Sequence, residues 1–269
     1  MFVSAVILAA VAHFSAFFGE ISMYGGLMQL PWWGYVLVTL CLTHITIASV
    51  TIYLHRSQAH HAVKLSAIPS HFFRFWLWLT TGMNTEEWVS VHRKHHAKCE
   101  TKDDPHSPVV YGLWRVLFAG VLLYVKESLN PETIERYGAG TPDDAMERHL
   151  YVPFKWYGIV FMFGVDLLLF GFIAGPIIWL VQMLWIPFWA AGVINGAGHA
   201  VGYRNTDTKD RSTNIVPWGI VIGGEELHNN HHAHPTWAKL SLKWFEFDIG
   251  WLYIRILEII GWAEVRRMT

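Results

Sequence analysis

The chain has 269 residues, 53% of them apolar and only 15% charged, with 20 Lys and Arg against 21 Asp and Glu for a formal charge of −1. So apolar a composition points to a membrane protein, and the lack of a basic excess excludes an electrostatic nucleic-acid binder. The 2 cysteines, Cys41 and Cys99, rule out a disulfide framework and any metal site built on CxxC pairs.

In chain order, four segments are long enough to cross a bilayer: residues 2–18, 31–54, 151–174 and 175–194. The first lacks a basic flank and is closely followed by a second apolar span, so it is expected to be a retained helix rather than a cleaved signal. The last two predict a hairpin turning at residues 171–176, where glycine and proline interrupt the apolar run. No Lys or Arg precedes Arg56 and none lies between Lys155 and Arg204. With four spans, the positive-inside rule therefore puts both termini and residues 55–150 and 195–269 in the cytoplasm. Within the first of these regions, residues 71–83 and 109–125 are apolar but short or interrupted, and predict helices lying in the membrane interface. The expected fold class is all-α integral membrane: one domain over residues 1–269, with four transmembrane helices and a cytoplasmic His-rich helical cap.

Histidine gathers at the cytoplasmic ends of these spans. "HRSQAHH" runs from His55 to His61, "HRKHH" from His92 to His96, and "HNNHH" from His228 to His232. In HxxHH the histidines stand at i, i+3 and i+4, on one side of a helix. His55 and His60 are five apart, about 140° around an α-helix, so they meet only where the helix frays or bends. "NGAGH" adds Asn195 and His199 at i, i+4. Imidazole suits zinc, copper, iron and nickel, and nine such side chains exceed the needs of one ion. Two metal ions are implied, and neutral ligands at a membrane boundary suggest redox chemistry on a lipid-soluble substrate.

These motifs, HxxxxH then HxxHH then HxxHH with four spans, resemble the membrane fatty acid desaturase family. The likeness is to its stearoyl-CoA desaturase branch and the bacterial acyl-chain Δ9 relatives. "ETKDDPHSP" at residues 100–108, "NGAGHAVGYR" at 195–204 and "GEELHNNHHAHP" at 224–235 are similar to segments of that branch. His61 and His234 stand where the animal enzymes carry other residues and are not counted as ligands. The resemblance implies two iron ions: one held by His55, His60, His92, His96 and His231, the other by His95, His199, His228 and His232, with Asn195 holding a water. It also makes Glu225 and Asp104 candidates to accept imidazole N–H bonds and fix the ring orientation. His106 lies in the resembling "DPH" segment as a further outer residue.

The implied function is an oxidoreductase of lipid metabolism, an O2-dependent acyl desaturase placing a cis double bond, Δ9 by the resemblance, in a saturated chain. The chain would be carried by CoA or phospholipid in a multi-pass bacterial inner-membrane enzyme. The same site fits a hydroxylase or ketolase of the superfamily, and a non-enzymatic metal-binding membrane protein is a third reading. His13, His44 and Asp166, inside spans, are expected to make interhelical hydrogen bonds. The tryptophans suit interfacial anchors, with Trp185 and Trp189 as candidate tunnel walls. Cys99 reads as a small buried residue. The chain carries no flavin, haem or iron–sulfur motif, so electrons must come from a separate donor, a ferredoxin, rubredoxin or cytochrome b5-like protein with its reductase. Arg93, Lys94 and Lys98 mark its expected docking place.

Overall fold

A computed structural model describes residues 25–266. The expected span at residues 2–18, with His13, lies outside the described residues. Helix dominates, as long apolar stretches without strand alternation require. Helix α1, Trp32–Ser49, carries Thr39, Thr43, Thr46 and Ser49, each donating its hydroxyl to the carbonyl four residues earlier at 2.7–3.1 Å. Their polar groups are thus satisfied inside the helix, which keeps the segment compatible with hydrocarbon. The helix continues into ten residues of π winding, Val50–Ala59. Trp32–Ala59 and Tyr157–Ala197 are two helical segments long and apolar enough to cross a membrane.

The second of these doubles back. Gly171, at φ 78 and ψ −180, breaks α6 (Tyr157–Ile186) into two arms. Asp166 and Gln182 would lie about 24 Å apart on a straight helix, yet Gln182 Nε2 donates to Asp166 Oδ2 at 2.8 Å. Trp179 likewise donates to the Ile159 carbonyl at 3.0 Å. The hairpin expected at residues 171–176 is therefore present. The amides of Leu27 and Met28 cap the turn through the Leu168 and Leu169 carbonyls. Of the polar residues set within apolar helices, Asp166 meets Gln182, and His44 Nε2 meets Tyr253 Oη at 2.8 Å; both make the inter-element bonds the sequence led us to expect.

The two expected interfacial helices form α2 (Ala67–Thr80) and α4 (Leu113–Ser128), with shifted bounds. Gly82 at φ +62 follows the end of α2, and Gly112 at φ +83 delays the start of α4. Between them lies α3, Thr85–Lys98, whose N-cap Asn84 accepts from the Glu87 amide and whose first turn carries Glu86 and Glu87, the sign that suits a helix N-terminus. After α5 (Pro131–Tyr137) the chain enters the hairpin, whose second arm ends in π winding at Pro187–Ile194 and a last turn at Asn195–Ala197. There α4 crosses it backbone to backbone. A Cβ on Gly120 would lie 2.2 Å from the Ala191 carbonyl oxygen, and one on Gly192 would lie 2.3 Å from that of Leu117. This crossing fixes Asn195 and His199 over the ends of the other helices. Two short helices, α7 (His228–Ala233) and α8 (Ile249–Ile259), follow.

Candidate metal centre

The π segment solves the spacing problem of the first box. In π winding the backbone bond spans five residues, and the His60 amide donates to the His55 carbonyl at 3.1 Å. Residues five apart then stand one hydrogen-bonded turn apart, so His55 and His60 share a face, with ring centroids 4.8 Å apart. An α-helix would have sent them to different sides. Neighbouring Arg56 is fully buried and locks the segment to residues 223–248, donating to Asp248 Oδ1 and Oδ2 and to the Gly223 and Ala238 carbonyls at 2.8–3.1 Å.

The second and third boxes each divide between two groups. His92 and His96 of α3 and His231 of α7 join His55 and His60, with one ring nitrogen of each within 4.8 Å of all the others. His60 and His92 meet Nε2 to Nε2 at 2.8 Å, and His231 Nε2 lies 3.0 Å from that of His55 and 2.9 Å from that of His96. Behind this group, His55 Nδ1 donates to Glu225 Oε1 at 2.7 Å, and Thr51 donates to the same oxygen at 2.5 Å.

His95, His199 and His232 form the second group, again within 4.8 Å of one another. His228 is attached through His199, Nε2 to Nε2 at 3.0 Å. The two groups share a wall, since the His96 and His232 rings stack at 4.5 Å. Three carboxylates back the second group: Asp104 accepts from His95 Nδ1 at 3.0 Å, Asp210 from His232 Nδ1 at 2.9 Å, and Glu100 lies 3.4 Å from His199 Nδ1. Glu225 and Asp104 thus occupy the positions expected of imidazole acceptors. Asp210 and Glu100 were not anticipated. Asn195 lines the adjoining cavity beside His228 and His106.

Two residues lie closer than their sequence reading suggested. Cys99 has its Sγ within 4.8 Å of ring nitrogens of His95, His199 and His232. Burial, then Asp104, Asp210 and Glu100, push its thiol pKa up, so it stands there as a neutral group. His106 packs on His95 with centroids 4.6 Å apart. His61 and His234 stay outside both groups: His61 meets Arg93, and His234 stacks on Trp237.

The donor set fits metal ions. Burial, and then the charge each ring would add beside its neighbours, holds His60, His92, His96, His228 and His231 well below the ordinary histidine range. Burial brings His232 down to about 4 against the opposing pull of Asp210. Those six rings are therefore neutral at pH 7, each with one bare nitrogen. Where Nδ1 donates to a carboxylate, the bare atom is Nε2. His95 Nε2 and His232 Nε2 are buried with no hydrogen-bond partner among the described residues, and His231 Nε2 faces two other Nε2 atoms. Hydrogen bonds among these rings cannot satisfy so many converging lone pairs, whereas cations would. Burial would raise Glu225, Asp104 and Asp210, but the imidazole each one faces outweighs it, and all three are held below the usual carboxylate range.

A cavity of about 600 Å³ opens from this centre. His55, His92, His106, Asn195 and His228 form its inner end, and its walls are largely apolar, with Trp88, Val91, Trp179 and Ile186 among them. Trp185 and Trp189, named as candidate tunnel walls, pack against the hydrophobic core and do not line this cavity, whereas Trp88, Trp156 and Trp179 do. The expected basic patch is also altered. The Arg93 guanidinium is consumed by the carbonyls of Gln58, Ala59, Tyr137 and Ala139 at 2.7–3.0 Å, and Lys94 pairs with Glu127 at 2.7 Å. These contacts hold α3 in place.

Comparison with known proteins agrees with this architecture. The sequence model of the fatty acid desaturase family matches residues 30–251. The chain is 29% identical over 242 residues to Delta-9 acyl-lipid desaturase 1 of Arabidopsis thaliana, spanning 86% of this chain and 74% of that one. It is 30% identical over 238 residues to the sn-1 stearoyl-lipid 9-desaturase of Anabaena variabilis, spanning 86% and 83%. With Acyl-CoA 5-desaturase AL21 of Anemone leveillei it shares 32% over 225 residues, spanning 79% and 65%.

Proposed function

The chain belongs to the fatty acid desaturase family and is an acyl desaturase, and from that premise we propose that it places a cis double bond at the Δ9 position of a saturated acyl chain, using O2 and two iron ions. The reaction balances as one CH2–CH2 pair, O2, two electrons and two protons giving one CH=CH and two waters. The carrying observation is that eight imidazoles gather in two adjoining groups, the ring nitrogens within each lying within 4.8 Å of one another, beside an apolar cavity whose inner end includes His55, His92 and His228.

His55, His60, His92, His96 and His231 would hold one iron, and His95, His199, His228 and His232 the other, with Asn195 placed to fix a water. Iron, when bound, supplies the activation of O2 that breaking an unactivated C–H bond requires. The protein's own residues supply the geometry. Trp88, Val91, Trp179 and Ile186 hold the acyl chain in a dry slot and limit which methylene pair reaches the inner end. Glu225, Asp104, Asp210 and Glu100 fix the ring orientations from behind.

The same reading has four spans, including the one at residues 2–18, with the histidine-rich cap and both termini in the cytoplasm of a bacterial inner membrane. It also requires an external donor such as a ferredoxin, rubredoxin or cytochrome b5-like protein, and Lys98 is the member of the basic trio left for it. The test is expression in a host without a desaturase of its own. Mass spectrometry should show acyl chains lighter by two hydrogens, and oxidative cleavage should map the double bond to C9. A gain of oxygen instead would replace the reading by hydroxylation.

A further inference from the structure

Cys99 belongs to no metal-binding motif, yet the fold makes it one of four converging donors. It is the C-cap of α3, four residues after His95, so the two side chains leave the helix on one side. The next residue, Glu100, lies in the left-handed region at φ 59, which a glutamate adopts only where its surroundings hold it. Here the Glu100 amide donates to Asp104 Oδ2 at 2.7 Å, and its carboxylate accepts from the Arg211 amide at 2.7 Å. The helix therefore stops at Cys99, and its end is pinned at the second histidine group.

The sulfur and one ring nitrogen each of His95, His199 and His232 lie within 4.8 Å of one another. His228, the fourth imidazole expected of this group, is not one of those four donors and reaches them through His199 at 3.0 Å. Two of the three rings are aimed by the carboxylates behind them. His95 Nδ1 donates to Asp104 and His232 Nδ1 to Asp210, and the two side chains are 1% and 2% exposed. What each ring has left is Nε2, buried with no hydrogen-bond partner among the described residues. A thiol, a weak donor with a single hydrogen, cannot meet two such lone pairs. A cation placed among them meets both and takes the sulfur as well.

Resting on the reading that this group holds a metal ion, we propose that Cys99 Sγ is a ligand of that ion, beside His95, His199 and His232. Three imidazoles and one sulfur make a partly soft donor set, suited to zinc or cobalt(II) as well as to iron. The His55 group has five imidazoles and no sulfur among its described donors. The ion takes the Cys99 sulfur as thiolate, and the thiol proton leaves to water. The second site is therefore the half of the centre at which zinc competes hardest with iron.

Cobalt(II) reads this contact directly, because a cobalt–thiolate bond gives an intense near-ultraviolet charge-transfer band that cobalt–imidazole bonds do not. The full chain loaded with cobalt should show this band. Cys99→Ser should abolish it while keeping the visible cobalt bands of the imidazole ligands, which report a folded, loaded centre. Cys41→Ser should leave the band unchanged. The chain has 2 cysteines, so the parent and Cys41→Ser together assign the sulfur even where Cys99→Ser loses its metal. Offered equal iron(II) and zinc without O2, the parent should retain more zinc per protein than Cys99→Ser, read by elemental analysis. Cobalt bound without a thiolate band, a band that survives Cys99→Ser, or equal zinc in the two proteins would overturn the ligand and leave the metal-centre reading intact. Failure to bind cobalt at all would remove both.

Discussion

The two histidine groups share the second and third boxes but are backed differently. One carboxylate, Glu225, stands behind the His55 group, and it also accepts from Thr51 and lies 3.9 Å from the Arg56 guanidinium. Three carboxylates, Asp104, Asp210 and Glu100, stand behind the His95 group, facing imidazoles rather than buried arginine. Anionic acceptors raise the basicity of the rings they orient. The second group should therefore hold a cation more tightly and favour the higher charge, while the first is the looser half. Two sites of five and four imidazoles are thus also unequal one layer out.

The largest effect should come from His231→Ala. His231 Nε2 is the atom through which the His55 and His96 rings meet, so its loss should abolish unsaturated product in a desaturase-free host and remove about one of two bound metals. Gas chromatography of total lipid and elemental analysis of the purified protein read these two outcomes. Next, a slow chelator should strip metal in two phases, the first leaving from the His55 group, whose backing is weaker. A single phase would break the comparison drawn above.

Asp210→Asn sharpens the comparison further. It keeps the size and a hydrogen-bond acceptor but removes the charge behind His232. Losses of about 10- to 100-fold in metal affinity follow from changes of this kind, and here they should fall on the tighter phase and bring the two phases together. Glu225→Gln should act on the other phase and spread them apart. Chelation kinetics of both variants beside the parent protein decide the matter. Identical shifts in the two variants would mean that the outer carboxylates do not distinguish the sites.

What was legible in the sequence, and what was not, follows from how far each interaction reaches along the chain. The boxes were readable because HxxHH on α3 and α7 needs only helical periodicity. The hairpin was readable because Gly171 and Pro176 interrupt one apolar run. The π winding of Val50–Ala59 was not: the five-residue spacing of His55 and His60 demanded a departure from α-helix, and several departures were open. Asp210 escaped because it lies in a loop 22 residues before His232, the ring it serves, with no spacing rule to tie it there. Glu100, four residues after His96, was visible within a quoted motif but indistinguishable from a surface acid until the fold brought it to His199. The basic trio shows the same limit. Charge in sequence says which side of the membrane a residue occupies, not whether its side chain is already spoken for.

That last point carries the two smallest predictions. Arg93 ties α3 to the end of the π segment and to the loop after α5 through four carbonyls. Arg93→Glu leaves those acceptors unmet and should cost about 3 kcal/mol of stability, seen as a lower thermal midpoint and partial metal loss at every salt concentration. Lys98 is half-exposed, at the end of the same helix. If an acidic electron donor docks on this face, Lys98→Glu should slow turnover by about two-fold at low ionic strength and by nothing measurable at high salt, because a rim charge acts on encounter and is screened. The two reversals, one helical turn and a little more apart, should therefore differ in kind: one insensitive to salt and visible without any donor, the other visible only with one. A salt-dependent donor defect in a fully metallated Arg93→Glu protein would return that residue to the docking surface and show that its carbonyl contacts are dispensable.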